Sequence, residues 1–102
     1  MQIQSIKVSN MLSNSGNKVA NQFVIRIKTS GHKAQVAFDE VYFQSYDSVI
    51  AKKDWDGNIT LDVNDWDYSV TTSKYRNQFT GLTTKETKKK IQDGSIKMED
   101  LN

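Results

Sequence analysis

The sequence contains no cysteine and no proline, and glycine occurs at only five of its 102 positions. Without cysteine the chain cannot form a disulfide or a thiolate zinc site, so its fold must be stabilised by packing alone. The absence of disulfides also favours a cytoplasmic location. The single histidine, His32, excludes a metal motif that requires two histidines.

Long apolar runs are also missing from the chain. No segment approaches the roughly 18 residues that a membrane-spanning helix needs, and the first residues, MQIQSIK, lack the apolar centre of a secretory signal peptide. Hydrophobic residues make up 36% of the chain and charged residues 25%, which is enough for one modest core. We therefore expect a single domain over residues 1–102.

The charges are spread unevenly along the chain. Residues 1–38 contain five basic and no acidic residues, whereas residues 39–67 contain eight acidic and two basic ones. Residues 68–97 return to seven basic and two acidic residues. This distribution predicts a dipolar molecule, unless folding mixes the charges and cancels the field.

Strand patterns fill the first two-thirds of the chain. Alternation of apolar and polar residues is clearest over residues 21–29, 40–45 and 59–63. Weaker strand patterns cover residues 3–8, 33–38 and 48–53. Residues 95–101 are expected to form a short final strand or a docked tail, and residues 10–18 a long turn or a mobile loop. Asp56-Gly57, between two strand-like runs, predicts a hairpin turn.

Helix patterns follow the strands. The main one begins after Trp66, and its apolar stripe is formed by Tyr68, Thr72, Tyr75 and Phe79, at i, i+4, i+7 and i+11. Asp67 is the expected N-cap and Gly81 the expected end of this helix.

A capping box of Thr83 and Glu86 starts a second, short helix. Strands followed by helices indicate an α+β fold. We expect a small antiparallel β-sheet of about four to six strands, with the main amphipathic helix at about 67–80 and the short helix at about 84–93 packed on one face.

Aromatic residues are the first candidates for a binding surface. A core this small does not readily hold every large aromatic, and partly exposed aromatics beside acidic residues are typical of protein interfaces. The candidates are Tyr46, Trp55, Trp66 and Tyr68. The alternative is that these side chains pack in the core or pair across strands.

Basic residues of the two predicted helices are candidates for contacts with nucleic-acid phosphates. They are Lys74, Arg76, Asn77, Lys85, Lys88 and Lys89, with the polar Asn77 included as a neighbour. The alternative is an ordinary solvated helix face, since consecutive lysines point in different directions around a helix.

Carboxylates near the predicted hairpin raise the question of a metal-dependent enzyme. Asp54, Asp56 and Asp62 resemble a calcium loop in composition but not in EF-hand spacing, and the turn itself explains Asp56-Gly57. Phosphate-binding glycine loops and dinucleotide fingerprints are absent from the sequence. We therefore expect a non-enzymatic protein with no metal site and no cofactor.

Two longer motifs carry a family resemblance. The segment FQSYDSVIA at residues 43–51 and the segment WDYSVTTSKYRNQF at residues 66–79 resemble a family of small uncharacterised proteins of bacteriophages and mobile elements of Gram-positive bacteria. The resemblance covers about residues 16–102 and brings no assigned activity. It implies a small phage-type accessory protein in the host cytoplasm.

The resulting hypothesis is a protein that binds a host or phage protein, for instance as an inhibitor of a host defence or replication factor. Nucleic-acid binding through the basic helices is the alternative, and a metal-dependent enzyme is the third possibility. No membrane partner is expected, and the oligomeric state is left open.

Overall fold

The computed structural model describes residues 3–29 and 38–102, and within these ranges the chain forms six strands and two helices. The strands are β1 (Ile3–Leu12), β2 (Lys18–Thr29), β3 (Glu40–Ser45), β4 (Ser48–Asp54), β5 (Ile59–Asp62) and β6 (Lys97–Glu99). The helices are α1 (Val70–Thr80) and α2 (Thr84–Gln92). The predicted α+β class is confirmed. The strand predicted over residues 33–38 falls mostly outside the described residues.

The strands form one sheet in the order of the sequence, β1-β2-β3-β4-β5-β6. Each pair from β1 to β5 is antiparallel, as predicted. The last pair is parallel, with Leu61 of β5 opposite Met98 of β6. In the sequence, both helices lie between β5 and β6. The chain therefore crosses over the sheet after β5 and returns in the same direction in β6.

The hairpin turns follow local turn chemistry. Gly57 adopts a left-handed φ of 86°, and its backbone N–H donates to the carbonyl of Asp54 at 2.9 Å, which confirms the turn predicted at Asp56-Gly57. The first turn is shorter than expected. It occupies Ser13–Asn17, and residues 10–12 belong to β1.

Helix α1 begins three residues later than the expected start. Ser69 is its N-cap, because the Ser69 hydroxyl accepts the Thr72 N–H at 3.1 Å. The prediction of Asp67 as N-cap was wrong. Gly81 ends the helix with a left-handed φ of 78°, as predicted, and its N–H donates to the Asn77 carbonyl.

Helix α2 begins with the predicted capping box. The Thr83 hydroxyl accepts the Glu86 N–H at 3.1 Å, and the Glu86 carboxylate accepts the Thr83 N–H at 3.0 Å. Among the described residues, neither helix has the length and apolarity that crossing a membrane would require.

Both helices pack on one face of the sheet. The rings of Phe79 in α1 and Phe43 in β3 stack at 5.8 Å between centroids. The core comprises Met11, Val24, Phe43, Ile50, Ala51, Leu61, Tyr75, Phe79 and Ile96. The predicted stripe of α1 is therefore confirmed at its last three positions, whereas Tyr68 lies outside the helix and is exposed.

The strand register separates the two faces of the sheet. One row of cross-strand partners lies beneath the helices and consists of Val24, Phe43, Ala51 and Leu61. The neighbouring row, Val8, Ile25, Tyr42, Lys52 and Thr60, therefore lies on the opposite face. No helix of the described residues covers that second face.

Candidate functional site

The exposed aromatics Tyr46 and Tyr68 lie at one end of the sheet. Tyr46 follows β3 in a left-handed conformation, with φ of 55°, and its N–H donates to the carbonyl of Asn21. Tyr68 immediately precedes the N-cap of α1. This end of the helix is joined to the end of β3 by a 2.8 Å hydrogen bond between the hydroxyls of Ser45 and Thr72.

The two tryptophans do not join these tyrosines in one surface. Trp55 follows β4 at the opposite end of that strand from Tyr46. Trp66 is half-buried against the core, and its ring contacts the guanidinium of Arg76 at 5.2 Å. The four predicted interface residues therefore do not form one surface, and Trp66 has a packing role.

Arg76 is the main correction to the predicted nucleic-acid surface, because its side chain is 0% exposed. Its Nη1 donates to the backbone carbonyl of Trp66 at 2.6 Å and lies 3.5 Å from the carboxylate of Asp67. Burial lowers the pKa of Arg76, and the charge and hydrogen bond of Asp67 oppose that effect. A guanidinium used in this way is not available to a phosphate.

Asn77 takes part in the same network. Arg76 Nη2 donates to Asn77 Oδ1 at 2.9 Å and to the Thr84 hydroxyl at 3.0 Å, and Asn77 Nδ2 donates to that hydroxyl at 3.1 Å. These bonds join α1 to the first residue of α2. Arg76 and Asn77 therefore hold the two helices together.

The other basic candidates are exposed. Lys85, Lys88 and Lys89 lie on α2 at i, i+3 and i+4, which places them on one side of that helix. Lys74 lies on α1, with its ammonium group 5.4 Å from the centre of the Tyr75 ring. These four lysines remain accessible to an anionic partner.

The carboxylates considered for a metal site bind backbone amides instead. Asp54 accepts N–H groups of Asp56 and Asn58 within its turn. The small burial of Asp54 raises its pKa, but these hydrogen bonds outweigh it and hold the pKa below its ordinary value.

Asp62 lies at the far end of the β4–β5 hairpin from Asp54, and its side chain is buried. It accepts the N–H groups of Leu101 at 2.7 Å, Asp65 at 2.8 Å and Asn64 at 3.1 Å. Burial raises the pKa of Asp62, but these bonds outweigh it and lower the pKa overall. Within residues 3–29 and 38–102, no group of three or more potential metal ligands comes together.

A different surface, missed from the sequence, lies on β1. Among the strands of residues 3–29 and 38–102, β1 forms one edge of the sheet and is ten residues long, whereas β6 at the other edge has three. Ile3, Ile6 and Val8 are 56%, 55% and 62% exposed. Their partners on β2 are Thr29, Ile27 and Ile25, so all three point to the face opposite the helices.

The adjoining side chains of β2 extend this apolar area. Phe23, Ile25 and Ile27 lie on the same face and are half-buried. We call the set of Ile3, Ile6, Val8, Phe23, Ile25 and Ile27 the β1–β2 apolar face. The alternation of residues 23–28 was visible in the sequence, but it did not indicate which side the helices would cover.

The helix side of the same two strands is basic. Lys7 is the cross-strand partner of Arg26, and Lys28 follows two positions along β2. Arg26 Nη1 donates to the Ser9 hydroxyl at 3.0 Å, which keeps its guanidinium near β1. The described hairpin, residues 3–29, contains four basic residues and no acidic one.

A groove follows β1 on the helix side and has a volume of about 510 Å³. It borders five consecutive residues of β1, from Val8 to Leu12, and its far wall includes Val24, Arg26 and Gln78. The Gln78 amide donates to the Leu12 carbonyl at 2.8 Å and so ties α1 to the strand. Lys18 adds a second cation to the lining.

Comparison with known proteins assigns the chain to a family without assigning a role. A family model described as a family of unknown function (DUF8033) matches residues 6–95, and the chain belongs to that family. The expectation of an uncharacterised family is confirmed, and the match includes both motifs that carried the resemblance. No curated protein and no solved structure matches the chain.

Proposed function

We propose that this chain is a non-enzymatic binding module that attaches to another protein through strand β1. The observation that carries the proposal is the exposure of Ile3, Ile6 and Val8 along one side of a ten-residue edge strand. A long edge strand with exposed apolar residues is a template for pairing with another chain. Clustered exposed apolar side chains mark interaction sites more often than single ones.

Strand addition would use both features of β1, its free backbone edge and its exposed apolar side chains. An extended partner segment would form main-chain hydrogen bonds with the free edge of β1, which supply affinity. Its alternate side chains would cover Ile6 and Val8, which supply specificity. The opposite edge is a poorer template, since β6 offers only three residues.

The polar groups considered for catalysis support a binding role. Asp54 and Asp62 each accept backbone amides in turns, and Arg76 joins α1 to α2. A catalytic group must instead present its reactive atom to a substrate. We therefore assign these residues to the architecture of the module.

The biological setting forms part of the proposal. The resemblance of residues 43–51 and 66–79 to phage and mobile-element proteins supports a phage-type accessory protein. The lack of cysteine supports action in the cytoplasm of the host. The partner is then a host or phage protein, for instance a host defence or replication factor.

The test compares two double variants as bait in host lysate. Ile6→Ser with Val8→Ser removes exposed apolar side chains from β1, and Val63→Ser with Val70→Ser removes exposed ones elsewhere. We expect wild type and the Val63/Val70 variant to capture the same stoichiometric partner, and the Ile6/Val8 variant to lose it.

Circular dichroism and thermal unfolding must show that both variants fold. Equal capture by both variants would contradict the assignment of β1 as the interface. A partner lost only from the Val63/Val70 variant would place the interface near α1 instead.

Nucleic-acid binding is the second candidate, favoured by the common side of α2 that carries Lys85, Lys88 and Lys89. It predicts an affinity for DNA or RNA that falls steeply as salt rises. Lys88→Glu should weaken that binding, whereas Lys97→Glu on β6, which changes the net charge by the same amount, should change it little. Equal effects of these variants would show that only net charge matters.

A further inference from the structure

Strand β1 carries apolar side chains on one face and polar or basic side chains on the other. Ile6 and Val8 are exposed on the face opposite the helices. Lys7 and Ser9, which alternate with them, lie on the helix side beside Arg26. A strand added to β1 would meet both sides at once, because its own side chains also alternate.

The helix side carries positive charge that extends across the sheet. Lys7 opposes Arg26, Arg26 opposes Val41, and Val41 opposes Lys53, so the three cations share one row. Burial lowers the pKa of Lys53, and the charge of Arg26 lowers it further. The Lys53 ammonium group donates to the Phe79 carbonyl at 2.8 Å, at the C-terminal end of α1.

Residues 3–29, which include β1 and β2, contain no carboxylate side chain that could balance this row at the strand edge. Asp39 is the first acidic residue in the sequence, and it is buried. It accepts hydrogen bonds from the backbone N–H and the hydroxyl of Thr29, at the end of β2. The edge strand itself therefore offers an incoming segment cations on one side and apolar side chains on the other.

We propose that β1 accepts an extended segment of a partner protein in which apolar and acidic residues alternate. This inference rests on the proposed function and names the chemistry of the partner. The apolar residues of the segment cover Ile6 and Val8. The acidic residues lie beside Lys7 and Arg26, where opposite charges on neighbouring strands stabilise the pair.

The groove beside β1 supplies the space for the acidic side chains. Its volume of about 510 Å³ lies along residues 8–12, and its lining includes the cations Lys18 and Arg26 but no carboxylate. Met11 and Val24 form part of its wall, so a carboxylate there is partly shielded from water. Shielding strengthens its attraction to a guanidinium.

A second copy of this chain fits β1 less well than an acidic segment does. Pairing two β1 strands would bring together two hairpins that each carry Lys7, Lys18 and Arg26 and no acid. Like charges on neighbouring strands are destabilising. The charge of β1 thus selects against self-association.

Nucleic acid fits only half of the surface. Phosphates would match Lys7 and Arg26, but they would leave Ile3, Ile6 and Val8 without an apolar partner. An acidic strand matches both sides and is the occupant we assign.

The experiment titrates labelled ten-residue peptides, the length of β1, into the whole protein and follows fluorescence anisotropy. One peptide alternates valine and glutamate, a second has the same composition in irregular order, and a third alternates valine and lysine. We expect the alternating acidic peptide to bind at least about tenfold more tightly than the irregular one. The lysine peptide should show no binding.

Two protein variants test the basic side. Lys7→Glu should weaken the alternating acidic peptide about tenfold, whereas Lys97→Glu, the same charge change on the other edge strand, should leave it unchanged. Both lysines are exposed, so both variants are expected to fold. Equal weakening by the two variants would overturn the assignment of the basic side to β1.

Backbone pairing is tested by N-methylation of alternate residues of the peptide. Methyl groups on the set that faces β1 should abolish binding, and methyl groups on the other set should not. Strand addition would be overturned if both methylated peptides bound equally well, or if the regular and irregular peptides did. Charge attraction would then be the remaining explanation of binding.

Other occupants give different results. Tighter, salt-sensitive binding of a DNA duplex would assign the surface to nucleic acid, and a dimer in sedimentation that Ile6→Ser abolishes would assign it to a second copy. Either result overturns the inference. If the acidic peptide does not bind but capture from lysate still depends on Ile6 and Val8, the acidic partner is wrong and the proposed function stands. If capture does not depend on these residues either, both proposals are wrong.

Discussion

The guanidinium of Arg76 donates a 2.6 Å hydrogen bond to the backbone carbonyl of Trp66 and lies 5.2 Å from the centre of its indole ring. This contact joins the segment before α1 to the interior of that helix. The charged side chain of Arg76 therefore has a structural role in the fold. The stability of the helical layer should therefore depend on the geometry of this side chain as well as on its charge.

Arg76→Lys should lower the free energy of unfolding by about 2 kcal/mol, because lysine retains the charge but cannot bond several acceptors in one plane. Lys74→Gln, an exposed change two residues away, should alter stability by less than about 0.5 kcal/mol. Urea unfolding followed by circular dichroism measures both. Equal stabilities of the two variants would show that the network contributes little.

Gln22 is fully buried, and neither polar atom of its side chain has a hydrogen-bond partner among the described residues. Gln22→Met retains the length of the side chain and removes the buried amide, so it should raise stability by about 1 kcal/mol.

Ser45→Ala provides the contrast for Gln22. Ser45 is the cross-strand partner of Gln22 and is hydrogen-bonded to Thr72. Its loss should therefore cost about 1 kcal/mol. A clear loss of stability in Gln22→Met, measured in the same urea titration, would show that the amide stabilises the core.

The depressed pKa of Asp62 makes stability depend on pH. Because the folded pKa lies below the unfolded value of about 3.9, the carboxylate stabilises the fold above that pH. The contribution is lost as pH falls through 3.9 toward the folded pKa. Asp62→Asn should therefore be less stable than wild type at pH 7, and the difference should shrink toward pH 3.

Urea midpoints measured from pH 7 to pH 3 test this expectation for Asp62. Asp56→Asn, a change at an exposed carboxylate, is the control. If the wild-type and Asp62→Asn midpoints fall in parallel over this range, Asp62 is not a source of the acid sensitivity.

The N-cap of α1 gives a prediction with a conservative control. Ser69→Ala removes the acceptor for the Thr72 N–H and should destabilise the protein by about 1 kcal/mol. Ser69→Gly should destabilise the protein by only about a few tenths of a kcal/mol, since glycine is tolerated at the N-cap. Thermal unfolding distinguishes the two, and equal melting temperatures of the variants would argue against a capping role for Ser69.

Local chemistry in the sequence predicted much of this fold. Gly81 and the Thr83–Glu86 box fix helix ends through atoms only a few residues apart, so the signals are readable without tertiary structure. The Asp56-Gly57 turn is readable for the same reason. The start of α1 was placed at Asp67 because an aspartate is a good cap, but that carboxylate interacts with Arg76 and Ser73.

The candidate surface could not be predicted in the same way. An arginine in a helix is usually exposed, and the burial of Arg76 follows from distant partners such as Thr84. Alternation in β2 identified two faces, but the side that the helices cover is a tertiary property. The exposed positions of Ile6 and Val8 became visible only once the helices were placed over Val24 and Phe43.

Hydrogen exchange within the captured complex tests the β1 interface most directly. We expect backbone amides of Ile3–Leu12 to exchange more slowly in the complex than in the free protein, with amides of α2 unchanged, because a partner strand would bond the free edge of β1. Unchanged exchange in β1, with slowing in α2 or around Tyr46 and Tyr68, would contradict the proposal and move the interface to those residues.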